Sequence, residues 1–253
     1  MQAQTDDSPE ISQSIHVGCS GWQYPAWRGR FYPVGLPTSR WLDFYCGHFN
    51  TVELNSTFYR MPSESTAAEW ARETPPGFVF AVKGSRYVTH VRRLNDVAGP
   101  VSEFTRRISP LGTKLGPVLW QLPPALVRDD DRLKAFLDIL PSSARHAVEF
   151  RHQSWWHEDV YALLRASGVA LCLIDWPGFR SPVIATTDFI YLRFHGSATL
   201  YGGLYGDDSL AWWVQAARTI ATKPRTVYAY FNNDANAFAV RNALTFRGLT
   251  ARP

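Results

Sequence analysis

The ten residues "TVELNSTFYR", Thr51 to Arg60, read as a strand running into a loop, with a carboxylate and an amide set among residues that belong to a core. Side chains on a strand alternate between its two faces, so Val52 and Leu54 share one face while Thr51, Glu53 and Asn55 share the other. A polar face is costly on a strand sandwiched between two apolar layers. It fits a closed barrel, where one face meets the surrounding helices and the other meets the lumen.

Short apolar runs of the same kind recur at "IHVGCSG", "FVFAVK", "PVLWQL", "HAVEF", "GVALCLID", "FIYLRFHG" and "TVYAYFN". With the opening stretch they make eight strands whose centres lie roughly thirty residues apart, the length of one βα unit. Helix starts are legible between them. Thr38 or Ser39 can cap "RWLDFYCGHF", Ser63 or Ser65 can cap "TAAEWARE", Asp129 or Asp130 can open "DRLKAFLDIL", and Asp207 or Asp208 can open "SLAWWVQAARTIA". The exception is "DWPGFRSPVIATTD", whose two prolines and glycine leave little room for a helix. The pattern predicts an α/β TIM-type (β/α)8 barrel with a degenerate unit between the sixth and seventh strands, formed by residues 14–253 as a single domain. Residues 1–13 are polar, lack apolar periodicity and read as a disordered tail.

The chain has 253 residues, 45% of them hydrophobic, enough for a full core. Mean hydropathy is slightly negative and no apolar run approaches the length of a membrane span. The opening "MQAQTDDSPEISQS" has no basic start followed by an apolar segment, so the sequence alone predicts a cytoplasmic protein with no membrane partner. Cys19, Cys46 and Cys172 are odd in number and widely spaced, which argues against a disulfide framework and for reduced thiols. A formal charge of +4 favours acidic partners, phosphorylated metabolites and nucleic acid among them, without selecting one.

Polar residues gather at the carboxyl ends of the strands: Glu53 and Asn55, Lys83, Gln121, Glu149 and Arg151, Asp175, Arg193 and His195, and Asn232. That end of a barrel is where active sites are built. The same charges could also neutralise one another as a buried ion-pair network that fills the barrel top. After the seventh strand comes "RFHGSATLYGGLYGDDSLAWW", where Gly203 and its fellow glycines allow close backbone approach, and Tyr201 and Tyr205 would line an anion pocket. A glycine-rich surface loop is the plainer reading of that segment.

Taken together, "GCSGWQYPAWRGRFYP", "FNTVELNSTFYRMP", "TPPGFVFAVK", "LGPVLWQLPP", "AVEFRHQSWW", "YLRFHG" with "YGGLYG", and "VYAYFNND" resemble the YecE-like family, domain of unknown function 72. The resemblance runs from about Ile15 nearly to the C-terminus and implies a TIM-type barrel. Cys19 stands where the family's GTSGW pattern has Thr. Carried onto matching positions, the resemblance implies a site that adds Ser20, Trp22, Tyr24, Tyr59, Arg60, His152 and Trp155 to the strand tips already named.

Three functions compete. The first is an enzyme that binds an anionic, phosphate-bearing substrate at the rim. Glu53 and Glu149 would be its general acid and base, with Asp175 grouped among the catalytic carboxylates. Lys83 would be an electrostatic partner or imine former, and Arg151, Arg193 and His195 an anion clamp. A salt bridge from Lys83 to Glu53 or Glu149 is the plain alternative. The second is a metal-dependent isomerase or phosphodiesterase using Glu53, Glu149, Asp175, His152 and His195; nearby Arg151 and Arg193 oppose a cation, so no metal site is assigned. The third is a nucleic-acid-binding protein, with Trp22, Tyr24, Trp27, Phe31, Tyr32, Arg28 and Arg30 as a basic aromatic surface. The sequence names no cofactor.

Overall fold

A computed structural model describes residues 14–220 and 226–251; the tail expected over residues 1–13 lies outside the described residues. Among these, nine strands form one sheet: β1 (Ile15–Cys19), β2 (Thr51–Leu54), β3 (Val79–Lys83), β4 (Leu115–Gln121), β5 (His146–Glu149), β6 (Ala170–Trp176), β7 (Phe179–Arg180), β8 (Phe189–Phe194) and β9 (Thr226–Phe231). Their order is β1-β9-β8-β6-β5-β4-β3-β2, with every neighbouring pair on that path parallel. The result is a nearly closed eight-strand barrel. All eight expected strands are present.

No backbone ladder joins β1 to β2 among the described residues, and a side chain closes that seam. Tyr45, on helix α1 (Trp41–Cys46), accepts a hydrogen bond from Cys19 N at 2.8 Å and donates one to Thr51 O at 3.0 Å, so one hydroxyl bridges the two strands. Gly18 permits the approach, because a Cβ there would sit 2.2 Å from Thr51 O.

The remaining helices are α2 (Ser56–Tyr59), α3 (Glu64–Glu73), α4 (Ala98–Ile108), α5 (Asp130–Asp138), α6 (Glu158–Ala166), α7 (Asp207–Ile220) and α8 (Phe238–Thr250). Ser63 caps α3 by accepting from Thr66 N, and Asp129 caps α5 by accepting from Arg132 N, each at 3.0 Å. α1 follows a 3-10 turn over Thr38–Arg40 and has no side-chain cap. Between β6 and β8 there is no helix. The chain turns at Pro177 and Gly178, pairs β7 antiparallel with β6, and returns along the outside of the barrel. There Thr186 Oγ1 donates to Val169 O and accepts from Leu171 N, both at 2.7 Å.

Alternation within the strands divides the core in two. Val52, Leu54, Phe80, Val82, Trp120 and Val148 pack outward against the helices. Ala81, Ala147 and Ala170 face Phe189, Tyr191, Tyr228 and Tyr230 across the lumen, small residues on one wall offsetting large ones on the other. Cys19 belongs to the outer layer and contributes no side chain to the lumen.

Candidate functional site

At the carboxyl end, the lumen changes from apolar to ionic. Arg193, with no exposed side-chain surface, forks onto Glu53: Nε reaches Oε2 at 2.9 Å and Nη2 reaches Oε1 at 2.7 Å. Its Nη1 donates to Glu149 Oε2 at 2.6 Å. Ser20 Oγ and Tyr191 Oη complete the shell of Glu53 at 2.8 and 2.7 Å, and Arg151 Nε pairs with Glu149. Burial alone would raise both carboxyls. Around Glu53 the Arg193 charge and the hydrogen bonds from Arg193 and Tyr191 reverse that, and its pKa lies below the ordinary value. Around Glu149 the charges of Arg151 and Arg193 hold it well below. Both are therefore ionised and saturated, which does not suit the general acid and base roles expected of them. The pairing is the buried network that the sequence also allowed.

His195 is fully buried beside this network. Its Nε2 is 3.0 Å from Arg151 Nη2, and its Nδ1 is 3.2 Å from Asn232 Nδ2. Burial lowers its pKa to about 3, so the ring is neutral at pH 7. Neither His195 nor Arg193 reaches an exterior anion, and of the expected clamp Arg151 alone faces open space. Asp175 lies on the opposite face of β6. It accepts from Trp213 Nε1 at 2.7 Å and pairs with Arg180 at 3.0 Å, because Ile174 and Trp176 take the inward positions. Asp175 thus stands apart from the lumen carboxylates.

Above the ionic layer opens a cavity of about 600 Å³. Among its lining residues are three cations, Lys83, Arg86 and Arg151, and no carboxylate. Gln121 and the expected Tyr59 and Tyr201 also line it, together with Phe58, His90 and Trp176. Arg151 stacks over Trp176 with its guanidinium carbon 4.9 Å from the ring centroid, and Lys83 Nζ lies 4.2 Å from that of Phe58. Lys83 is 8% exposed. Burial, followed by the charge of Arg193, outweighs Glu149 and Glu53 and lowers its pKa to about 7. His90, depressed to about 4 by burial and then by Lys83, adds no positive charge at pH 7. The salt bridge from Lys83 to Glu53 or Glu149 is not formed.

Several expected residues are placed elsewhere. Trp22, Tyr24 and Asn55 line a separate cleft of about 180 Å³ between the ends of β1 and β2, where Tyr24 Oη and Asn55 Nδ2 both donate to Ser20 O. Trp155 is buried, donating to Leu126 O at 2.7 Å and stacking on Phe150. His152 accepts from Ser154 N, shaping the turn after β5, and Arg60 is exposed away from the cavity lining. In the glycine-rich loop Tyr205 is an internal pin, its hydroxyl donating to Gly196 O at 2.8 Å, while Asn233 Nδ2 holds Gly203 O at 2.8 Å. Of the expected basic aromatic surface, Trp22, Trp27 and Tyr32 are buried and Arg28 and Arg30 are exposed. Among the described residues no group of three or more His, Cys, Asp or Glu could hold a metal ion. No helix among them is long and apolar enough to cross a membrane.

Phe58, Arg86, His90 and Trp176 are not among the expected site residues. Trp176 is legible as the inward-facing last residue of β6; Phe58 lies on the one-turn helix α2, and Arg86 and His90 on the turn after β3, where no periodicity fixes direction.

The sequence model for the family described as "Protein of unknown function DUF72" matches residues 16–252. "UPF0759 protein YecE" of Escherichia coli K12 is 32% identical over 143 residues, 56% of this chain and 50% of the relative, so the chain spans about half the length of that curated relative. "UPF0759 protein YunF" of Bacillus subtilis 168 is 24% identical, with 90% of this chain and 92% of the relative covered. The crystal structure of a DUF72 family protein from Thermotoga maritima MSB8 superposes with a TM-score of 0.86 at 32% identity, covering 95% of this chain and all of the other.

Proposed function

This chain belongs to the DUF72 family, and from that premise we propose that it is an enzyme acting on an anionic, phosphate-bearing substrate at the carboxyl-end rim of its barrel. The observation that carries this reading is the charge of the cavity lining: Lys83, Arg86 and Arg151 with no carboxylate among the lining residues. Arg86 is exposed, and among the described residues no hydrogen bond or ion pair engages its side chain, so its donors remain available to a phosphate. Arg151 is held in place by Glu149 and stacks on Trp176, which orients its outer guanidinium edge in advance of binding. Lys83 supplies the reactive group, since an amine with a pKa of about 7 can act as base or nucleophile near neutrality. The ionic layer of Glu53, Glu149 and Arg193 serves as a rigid floor rather than as the acid–base pair.

The test is thermal unfolding in the presence of inorganic phosphate, pyrophosphate and, as a neutral control, glycerol. The midpoint should rise with phosphate or pyrophosphate concentration, as it does for any ligand bound to the native state alone, and Arg86→Ala should flatten that rise. A wild-type midpoint that ignores both anions overturns the reading.

A further inference from the structure

Three lysines lie among the described residues, and their surroundings differ in kind. Lys114 Nζ donates to Ala71 O at 2.6 Å and Thr74 O at 2.5 Å, and Lys134 pairs with Asp138 at 2.6 Å. Lys83 is the most buried of the three, yet among the described residues no hydrogen-bond acceptor or carboxylate lies within bonding distance of its Nζ. Its contact is the face of Phe58, and its open side is the cavity. Burial, and then the charges beneath it, explain why the proton is poorly held. Two guanidiniums, Arg193 and Arg151, already neutralise two carboxylates, Glu53 and Glu149, leaving no spare negative charge for an ammonium taken out of water.

We propose that Lys83 Nζ is a carbonyl nucleophile, forming an imine with an aldehyde or ketone group on the anionic substrate of this cavity. This rests on the phosphate-binding reading of the same cavity and narrows it to substrates bearing both an anion and a carbonyl. The nitrogen lone pair attacks the carbonyl carbon, forming the C–N bond as the C=O π pair moves to oxygen. The resulting carbinolamine loses its oxygen as water, which carries away both amine protons, and the C=N bond closes. No oxidant or reductant is needed. Arg86 and Arg151 supply donors for the anionic end, and the amide of Gln121 lines the same wall. At pH 7 roughly half of the Lys83 side chains are neutral, whereas an ordinary lysine is neutral in fewer than about one copy in a thousand.

The experiment uses pyridoxal 5′-phosphate, an aldehyde carrying a phosphate. The full chain is incubated with it, reduced with borohydride to fix any imine, and mapped by mass spectrometry; with four lysines in the sequence the assignment is direct. The expected result is an adduct on Lys83 formed at least about tenfold faster than on Lys114 or Lys134, slowed by excess inorganic phosphate and increasing in rate through pH 7 rather than pH 10. Lys83→Arg, which has no nucleophilic amine, should lose that adduct. Labelling spread evenly over the lysines, or none on Lys83, overturns the proposal. If phosphate still stabilises the protein in that event, the anion site stands without the imine; if it does not, both readings fall.

Discussion

A guanidinium without exposed surface must find its counter-charges inside the protein, and Arg193 finds two, in Glu53 and Glu149. Lys83 is buried beside that geometry; burial, and then the charge of Arg193, lower its pKa to about 7, and its ammonium is left without a partner. A lysine with a folded pKa below its unfolded value near 10.4 penalises the native state while it is protonated; the penalty is full below about pH 7 and fades as pH rises toward the unfolded value. Replacing it with an uncharged side chain of similar length removes the penalty. Lys83→Met should therefore stabilise the protein against urea at pH 6, by an amount on the order of a few kcal/mol, with the gain shrinking steadily toward pH 10. Equal stability of the two proteins at pH 6 would show that Lys83 is not held against its preference. Strand parity alone locates Glu53, Lys83, Gln121, Glu149 and Arg193 inside the barrel, because each sits an even number of residues from an inward neighbour. It does not reveal which carboxylates are already spent on arginines, because that depends on which strands stand opposite, and it misplaces Asp175, where one residue of offset turns the side chain to the outside.

The strands and their joints are set by local patterns of unequal clarity. Caps at Ser63 and Asp129 mark α3 and α5 in advance because a side-chain oxygen before a helical run has one obvious use. α4 gives no such signal: it begins at Ala98 with Gly99 and Pro100 in its first turn, and no side chain caps it. The missing helix after β6 is legible, since Pro177, Gly178 and Pro182 exclude one. The seam between β1 and β2 is not legible at all, because nothing in "WLDFYC" announces that its tyrosine hydroxyl substitutes for a ladder. Tyr45→Phe leaves Cys19 N without its acceptor and Thr51 O without a donor in a buried place, so we expect a loss of about 1–3 kcal/mol in urea unfolding. Amide exchange should quicken at Cys19 and in β2 before it does in β4 or β5. A variant as stable as the parent, with unchanged exchange, would mean that the seam is held by packing alone.

Across the whole molecule the +4 charge is a weak guide to partners, and the placement of that charge is a stronger one. A protein that tracks along a single strand needs a basic groove with exposed stacking rings, spaced over several nucleotides. Here the interleaved stretch from Trp22 to Tyr32 turns its largest rings inward: Trp27 donates to Asp234 O at 2.9 Å from the core, and Tyr32 lies flat on Trp41 with centroids 4.4 Å apart. Arg28 is drawn over the Trp41 ring. At the cavity mouth Arg86 and Arg151 stand beside Lys83, open to an anion. A short DNA strand bearing a 5′-phosphate should therefore be held by its end and neutralise no more than about two phosphates, so its affinity should fall less than about tenfold between 50 and 200 mM salt, at about 0.7 of a power of salt per phosphate. Removing the terminal phosphate should weaken binding more than lengthening the strand strengthens it. Affinity that grows with length and drops by about a hundredfold or more over the same salt range would require a charged track outside the mouth, and would shift the proposed function from a pocket that grips one small anion to a surface that follows a chain of them.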